Sequence, residues 1–513
     1  MTGGPLSRRT FGQVLAAVVC QAGMRRAAAD MRSRSAVVAR HGMVATSQPL
    51  ATQIALDVLQ TGGNAADAAI AASAALCVLE PINAGLGGDA VGLVQDAGSG
   101  EMFGLRATGR EFLDPLAPQA LGEGPPQIGV PGLVDGWVAL HGRFGRKPLA
   151  DLLTPTIQLA DEGVPIAART AAAWARASSR LGEDDAVSPW RPGGAAPAFG
   201  QVVPQPDLAA TLRLVALRGR TPLYEGELAS GLLAELNRGR DVPLEASVLQ
   251  APSAEWSAPL RVGYRGREIA ALPDATATLQ TLLMLRDYDA ARLGHGSADS
   301  VHLLVEAFKL ARSDAAATAA RLDPATASLQ RRQIDPNRAQ AIAIGPREAA
   351  STGVVAIDAD GNRCVLAVAM GDPFGSGRGP VGTGLLLKSS TAGRLPLAML
   401  VSPPEQSSQP AVAVTVGGTN PQLIAAQLLT GLIDFDLPPQ QAVDAARVQL
   451  DEGRTLLVED GAVDARQLAR RQHQSADGPA SVMGTVQLVA RQPVRRTLIG
   501  ASDSRTDGAA AGY

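Results

Sequence analysis

Three sets of residues in this sequence have the chemistry to serve as ligands or catalysts: five histidines, three cysteines and a glycine-rich turn. The histidines (His41, His141, His295, His302, His473) are scattered, with no His-x-His and no HExxH. A zinc site draws several ligands from close, characteristic spacings. These histidines therefore read as surface and packing residues, and no metal or cofactor is expected. Cys20, Cys77 and Cys364 also lack ligand spacing; Cys77 and Cys364 either pair or stay buried as small apolar groups. The turn Asn83-Ala84-Gly85-Leu86-Gly87-Gly88-Asp89-Ala90-Val91-Gly92 has the glycine to approach a phosphate closely. Its context is wrong for that. A dinucleotide loop follows a strand and opens a helix. This one follows a helical stretch and leads into a hairpin pattern that turns at Asp96-Ala97-Gly98-Ser99-Gly100, and no GK[ST] is present.

The surrounding elements follow from periodicity. Residues 50–60 place apolar side chains at helical spacing. Thr61-Gly62-Gly63 ends that helix, because glycine tolerates the left-handed cap. Asn64 caps the next helix, with Asp67 in its first turn. Residues 65–79 are alanine-rich, which favours helix and close packing. Further on, apolar residues alternate through 353–357 and 364–369 on either side of Asp360-Gly361, the pattern of two strands joined by a tight turn. Ser351-Thr352 opens the first of them; by residue chemistry alone the pair is a polar start to a strand. Residues 322–350, with Pro324, Pro336 and Pro346, read as a polar loop or linker. Gly417-Gly418 marks a turn, and residues 421–432 read as a helix. The alanine-rich run 171–177 reads as a helix surface, and no internal repeat is present.

Composition bounds the class. A chain of 513 residues that is 46% hydrophobic and 19% charged is globular, and long enough for two to four ordinary domains. Its net charge of −3 and its 3% of aromatic residues argue against a nucleic-acid partner, despite local arginine pairs at 470–471 and 495–496. At the start, Ser7-Arg8-Arg9-Thr10-Phe11 has the form of a twin-arginine export motif. A short apolar stretch at 14–19 and the small residues Ala27-Ala28-Ala29 follow. We read residues 1–29 as an export signal, with a periplasmic or secreted product; the other reading is a disordered basic leader. No run approaches the ~20 apolar residues of a membrane span.

The order of several motifs resembles the γ-glutamyltranspeptidases (glutathione hydrolases). Gly42-Met43-Val44-Ala45, Gly62-Gly63-Asn64-Ala65-Ala66-Asp67-Ala68-Ala69, the 83–92 loop with its hairpin, and Val130-Pro131-Gly132 with Trp137 come first. Phe144-Gly145, Pro148-Leu149, Tyr264-Arg265-Gly266 and His302-Leu303-Leu304-Val305-Glu306-Ala307 follow. Gly500-Ala501-Ser502-Asp503 and the terminal 507–513 close the series. The resemblance covers residues 40–513. It implies the four-layer αββα sandwich of N-terminal-nucleophile hydrolases, of mixed α/β (α+β) class. It also implies a chain that cuts itself into a large segment, 30–350, and a small one, 351–513, held together as one domain and as a heterodimer of fragments.

In such enzymes a Thr or Ser hydroxyl attacks the carbonyl before it, and the freed residue then carries both nucleophile and amine base. An α-amine with a reference pKa of ~7.7–8.0 suits that work and needs no histidine. Ser351-Thr352-Gly353-Val354-Val355-Ala356-Ile357-Asp358-Ala359-Asp360-Gly361-Asn362 resembles the family's nucleophile segment. The resemblance places the nucleophile at Ser351, with Thr352 second. It places the grip on the donor's α-carboxylate at Arg106. The oxyanion hole falls at Gly417 and Gly418, or at Thr419-Asn420 if the match is offset. Departures accompany these matches. The family's histidine is Gly353, its supporting threonine Ala369 and its donor-binding asparagine Gly371. No acid stands between Ser390 and Gly393, and a serine pair is replaced by Met399-Leu400. Three readings stay open: a γ-glutamyl-amide hydrolase or transferase acting on small molecules such as glutathione, an acylase for another amide, or an uncleaved binding or scaffold protein.

Overall fold

The Asp360-Gly361 turn sets the centre of the molecule. The computed structural model describes residues 34–115, 127–182, 185–313, 322–342, 349–391, 395–404, 407–451 and 454–513. In it, strands Ala350–Ile357 and Arg363–Gly371 run antiparallel from this turn. Gly361 takes φ +90°, which glycine adopts without strain, and the Asn362 N–H donates to Asp358 Oδ1 at 2.9 Å. Both strands are buried throughout, as strands covered on both faces must be.

This hairpin lies inside a seven-stranded sheet. Its order is Ala509–Gly512, Met43–Thr46, Ala350–Ile357, Arg363–Gly371, Asp89–Gln95, Met102–Ala107 and Ala254–Ser257, antiparallel throughout. A second seven-stranded antiparallel sheet runs Val37–Ala39, Thr497–Ser502, Thr485–Gln492, Ala411–Gly417, Leu397–Ser402, Arg267–Ala271 and Leu260–Tyr264. The sheets stack face to face. Met43, Leu93, Val355 and Val365 of the first interleave with Ala270, Leu400, Ala413 and Val489 of the second. Helices Pro49–Gln60 and Ala65–Leu79 cover the outer face of the first sheet, against Val354, Ala356 and Leu366. Helices Thr276–Leu285, Ala298–Ser313 and Pro421–Ile433 cover the second, against Ile269, Met399 and Val414. The layers are helix, sheet, sheet, helix, as the resemblance implied.

Helix Ala65–Leu79 shows how composition builds a layer. All its residues are buried, Asp67 and Ser73 included. Alanine lets its backbone approach the sheet closely on one side and neighbouring helices on the other. Its start is fixed by a capping box: Asn64 Oδ1 accepts from the Asp67 N–H at 3.0 Å, and Asp67 Oδ2 accepts from the Asn64 N–H at 3.1 Å.

One expectation changes, and one choice left open is decided. The segment read as a loop before residue 350 contains helix Pro324–Arg331. Asp323 Oδ1 caps it by accepting from the Ala325 and Thr326 N–H groups at 2.8 and 3.0 Å, and Pro324 sits at the first position, where a missing N–H costs nothing. Cys77 and Cys364 are unpaired and buried, so burial pushes both thiols up and they serve as apolar packing. The export motif and Cys20 lie outside the described residues. Among the described residues no helix is long and apolar enough to cross a membrane.

Candidate active site

Ser351 is the second residue of an interior strand, 3% exposed. Side chains alternate along a strand, so Ser351 and Gly353 face the second sheet while Thr352 and Val354 face the helices. The ladder slips between Ala350 and Ser351. Ala350 is opposite Gly371 but Ser351 is opposite Ala369, leaving Met370 as an extra residue on the partner strand. Such bulges re-aim side chains and recur beside active sites.

The Gly418 N–H donates to Ser351 Oγ at 2.9 Å. Glycine is required at both positions of this turn. A Cβ on Gly417 would lie 2.8 Å from Ser351 Oγ, and one on Gly418 2.8 Å from Gly484 Cα, where φ is already +85°. The offset alternative points elsewhere: the Thr419 carbonyl accepts from Gln449 Nε2 at 2.7 Å, and Asn420 Nδ2 donates to Gln449 Oε1 at 3.3 Å. Gly353 is explained by its neighbour, since a Cβ there would meet Thr415 Oγ1 at 2.8 Å. Gly371, at φ +81°, would put a Cβ 2.4 Å from Ser389 Oγ, so the asparagine position holds only backbone.

Thr352 occupies different surroundings. Its Oγ1 and Ser47 Oγ share a hydrogen bond of 2.5 Å, and Ser47 Oγ donates to Glu80 Oε2 at 2.9 Å. Gln48 Nε2 donates to Glu80 Oε1 at 3.1 Å. Burial raises the Glu80 carboxyl above its ordinary range, against the opposing pull of these hydrogen bonds.

At the far end of the same sheet face, Arg106 is held by Asp274: its Nη1 lies 2.8 and 3.1 Å from the two carboxylate oxygens. Between the 83–92 loop and residues 387–391 lies a buried ionic group that no spacing of residues signals. Lys388 Nζ donates to Asp89 Oδ2 at 2.5 Å and to the Gly109 carbonyl at 2.8 Å, with Glu111 Oε1 at 3.4 Å. Thr391 Oγ1 adds bonds to Asp89 at 2.8 Å and Glu111 at 3.0 Å. For Glu111, burial raises the carboxyl, but Lys388 and the Thr391 N–H outweigh it and leave it lowered.

The histidines are less scattered in space than in sequence. His302, Glu306 and His473 bring one ligand atom each within 4.8 Å of the others. The cluster carries its own cation: Lys309 Nζ donates to Glu306 Oε1 at 2.8 Å. His302 Nδ1 and His473 Nε2 share a hydrogen bond of 2.8 Å. Burial first, then repulsion from Lys309, pushes His473 down to about 3. The i, i+4 spacing of His302 and Glu306 was a visible signal; the partner 167 or more residues away was not.

The stacked antiparallel sheets between helical layers, with a hydroxyl residue at the head of an interior strand, define the class: the N-terminal-nucleophile hydrolase fold. A solved cephalosporin acylase from Bacillus halodurans has this fold, with a TM-score of 0.82, 30% identity, and coverage of 94% of this chain and 97% of its own. Residues 51–513 match the family model of Gamma-glutamyltranspeptidase, and the chain belongs to that family. It is 30% identical to the Glutathione hydrolase-like YwrD proenzyme of Bacillus subtilis (strain 168), over 80% of this chain and 85% of the relative. It is 31% identical to the Acylase ACY 1 proenzyme of Pseudomonas sp. (strain V22), over 91% and 92%.

Proposed function

We propose that this protein cleaves γ-glutamyl amides such as glutathione through an acyl-enzyme, after cutting itself between Ala350 and Ser351. The hydrogen bond from the Gly418 N–H to Ser351 Oγ carries this reading. In the first step Ser351 Oγ adds to the Ala350 carbonyl, the peptide bond to nitrogen breaks, and the acyl group passes to oxygen. Water then cleaves the ester, leaving the Ala350 carboxylate and a free Ser351 amine. That amine accepts the Oγ proton when Ser351 attacks a substrate amide and returns a proton to the leaving amine. The backbone N–H at Gly418 stabilises the oxyanion that develops. Residues 351–513 then form the small fragment of a heterodimer with the segment before them. The leader supports an exported, periplasmic or secreted enzyme. Relatives named glutathione hydrolases support the donor class.

A second reading, an acylase for another amide, is favoured by one observation. Where the family's serine pair is expected, Met399 and Leu400 are buried in apolar cores and offer no hydroxyl to a charged donor. The first test is intact mass and denaturing gels of the purified full chain beside Ser351→Ala and Thr352→Ala. Two fragments with a new N-terminus at Ser351, lost only in Ser351→Ala, are expected. A new N-terminus at Thr352 would move the nucleophile, and a chain that stays whole would sink the mechanism in favour of a binding or scaffold role. Hydrolysis of a panel of acyl amides by the cleaved protein separates the two enzymatic readings.

A further inference from the structure

An acyl shift from nitrogen to oxygen carries the Ala350 acyl carbon off its strand and onto the face to which Ser351 Oγ points. The next step, hydrolysis of that ester, needs a water on the same face. Much of the face is hydrocarbon: Val91, Ala367 and Ala369 on the first sheet, Ala413 and Val489 on the second. The exception lies against Ser351 and Gly353. Thr415 and Gly417 of strand Ala411–Gly417 are opposite Gln487 and Thr485 of strand Thr485–Gln492. Alternation turns all four toward the first sheet, since Ala413 and Val489 pack there while Val416 and Leu488 pack against the helices.

Gln487 stands out among them. It is 2% exposed, and its Oε1 and Nε2 are both buried with no hydrogen-bond partner among the described residues. An unmet acceptor and an unmet donor each cost free energy that a ligand able to serve both recovers. Ser502, opposite Gln487 on its other side, does not serve it, because its hydroxyl donates to the Thr46 carbonyl at 3.2 Å. Thr415 sets its Oγ1 2.8 Å from where a Cβ on Gly353 would be. A Cβ on Gly417 would lie 2.8 Å from Ser351 Oγ and 3.3 Å from Thr485 Oγ1. Gly353 and Gly417 therefore add no hydrocarbon to this corner. Water both donates and accepts and fits a place this deeply buried, and a few polar partners are what a buried water requires.

We propose that Gln487 and Thr415 hold ordered water between the sheets beside Ser351, and that one molecule of it hydrolyses the ester formed in self-cleavage. This rests on the self-cleaving reading above. Gln487 Oε1 accepts a hydrogen from the attacking water and turns a lone pair of it outward; Nε2 and Thr415 Oγ1 bind the water behind. The attacking oxygen joins the Ala350 carbonyl carbon, and the bond from that carbon to Ser351 Oγ breaks. One water proton reaches Oγ by way of the Ser351 amine, and the other is lost as the new carboxyl ionises. Gln487 and Thr415 are positioning residues, since they act through the water and touch neither end of the bond that breaks.

The test follows self-cleavage of the full chain from cell-free synthesis, as wild type, Gln487→Leu and Gln280→Leu, with and without hydroxylamine. Hydroxylamine attacks an ester directly and needs no held water. Gln280 is the control: it is buried in helix Thr276–Leu285, with an unpartnered Oε1 of its own. Gln487→Leu is expected to slow self-cleavage by on the order of a hundredfold, the scale on which a misplaced reactant is felt. Hydroxylamine should restore it and leave Ala350 as a hydroxamate, which mass spectrometry separates from the carboxylate. Gln280→Leu should cleave as wild type does, to the carboxylate. A Gln487→Leu chain that cleaves at the wild-type rate overturns the proposal. So does slow cleavage that hydroxylamine leaves slow, because the block would then precede the ester. Should Gln487→Leu fail to fold, or wild type stay whole, a crystal structure of full-length Ser351→Ala decides. Ordered water must lie within hydrogen-bond distance of Gln487 Oε1 and Nε2, and an amide that is dry or bonded only to protein groups overturns the site. A wild type that stays whole in both conditions would sink the self-cleaving reading by itself.

Discussion

Ser351 and Thr352 are neighbours in sequence, both hydroxylic and both 3% exposed, yet they live in opposite surroundings. Ser351 faces a backbone N–H at the mouth of a glycine turn. Thr352 faces a hydroxyl that leads to a buried carboxyl. A donor that holds the attacking oxygen lies beside the place where the oxyanion forms on the attacked carbonyl. A chain of hydroxyls ending on a carboxyl only fixes a strand in place. Residue type and burial therefore do not separate the two candidates, whereas strand alternation and the opposing layer do.

The sharpest way to break this comparison is at Gly418. Gly418→Ala forces a side chain onto φ +85° and against Gly484 Cα, which displaces the N–H. Self-cleavage and turnover should fall by on the order of a hundredfold or more, as for loss of an oxyanion donor. Gly62→Ala is the control, with φ +93° and nothing within 4 Å of the added Cβ. It carries the backbone strain alone and should leave cleavage intact. Equal rates in the two variants, measured by quenched gel time courses, would remove Gly418 from the mechanism.

The Ser351 side is also the charged side. Lys388, fully buried, holds Asp89 between the glycine-rich loop and residues 387–391. Lys388→Met leaves that carboxylate with the Gly109 N–H and the Thr391 hydroxyl but no cation. Breaking a buried pair from one side costs about 3–5 kcal/mol, readable as a lower urea midpoint. Adding Asp89→Asn should recover part of the loss, and a double variant no better than the single would show the pair is not coupled. On the other face, Thr352→Val removes one hydrogen bond to Ser47, worth about 1 kcal/mol. Stability should drop by that amount while self-cleavage proceeds at the wild-type rate. A strong loss of cleavage would place the functional hydroxyl at Thr352.

Much of this frame was readable in the residues. The capping box at Asn64 and Asp67, the Asp360-Gly361 turn and the two strands it joins were set by local chemistry, and local chemistry is what a sequence displays. The resemblance then fixed the four layers. What stayed hidden was made by long-range meetings. Lys388 finds Asp89 299 residues away, and Arg106 finds Asp274 across 168. Nothing in spacing marks such pairs. The glycines at 353 and 371 looked like losses from a site; the structure gives a steric reason for each, in Thr415 and Ser389. The helix at Pro324–Arg331 was missed because the prolines of residues 322–350 read as breakers, although Pro324 begins it.

The smallest effect tests the Thr352 face through Glu80. This carboxyl is 4% exposed, its hydrogen-bond partners Ser47 and Gln48 are neutral, and so are Thr352 and Asn83 beside it. Burial raises its folded-state pKa above the ordinary carboxyl value of ~4.3, so the native state holds the proton more tightly than the unfolded chain does. The stability this contributes is fully present below the ordinary value and is lost as pH rises through the folded one. Glu80→Gln is neutral at every pH and escapes that loss. The stability of Glu80→Gln relative to wild type should therefore increase between about pH 5 and pH 8, measured by urea unfolding at each pH. A difference that stays flat with pH would mean that the carboxyl ionises as it does in water. The hydroxyl chain from Thr352 would then end on a charge, and the contrast between a charged Ser351 side and a neutral Thr352 side would fail.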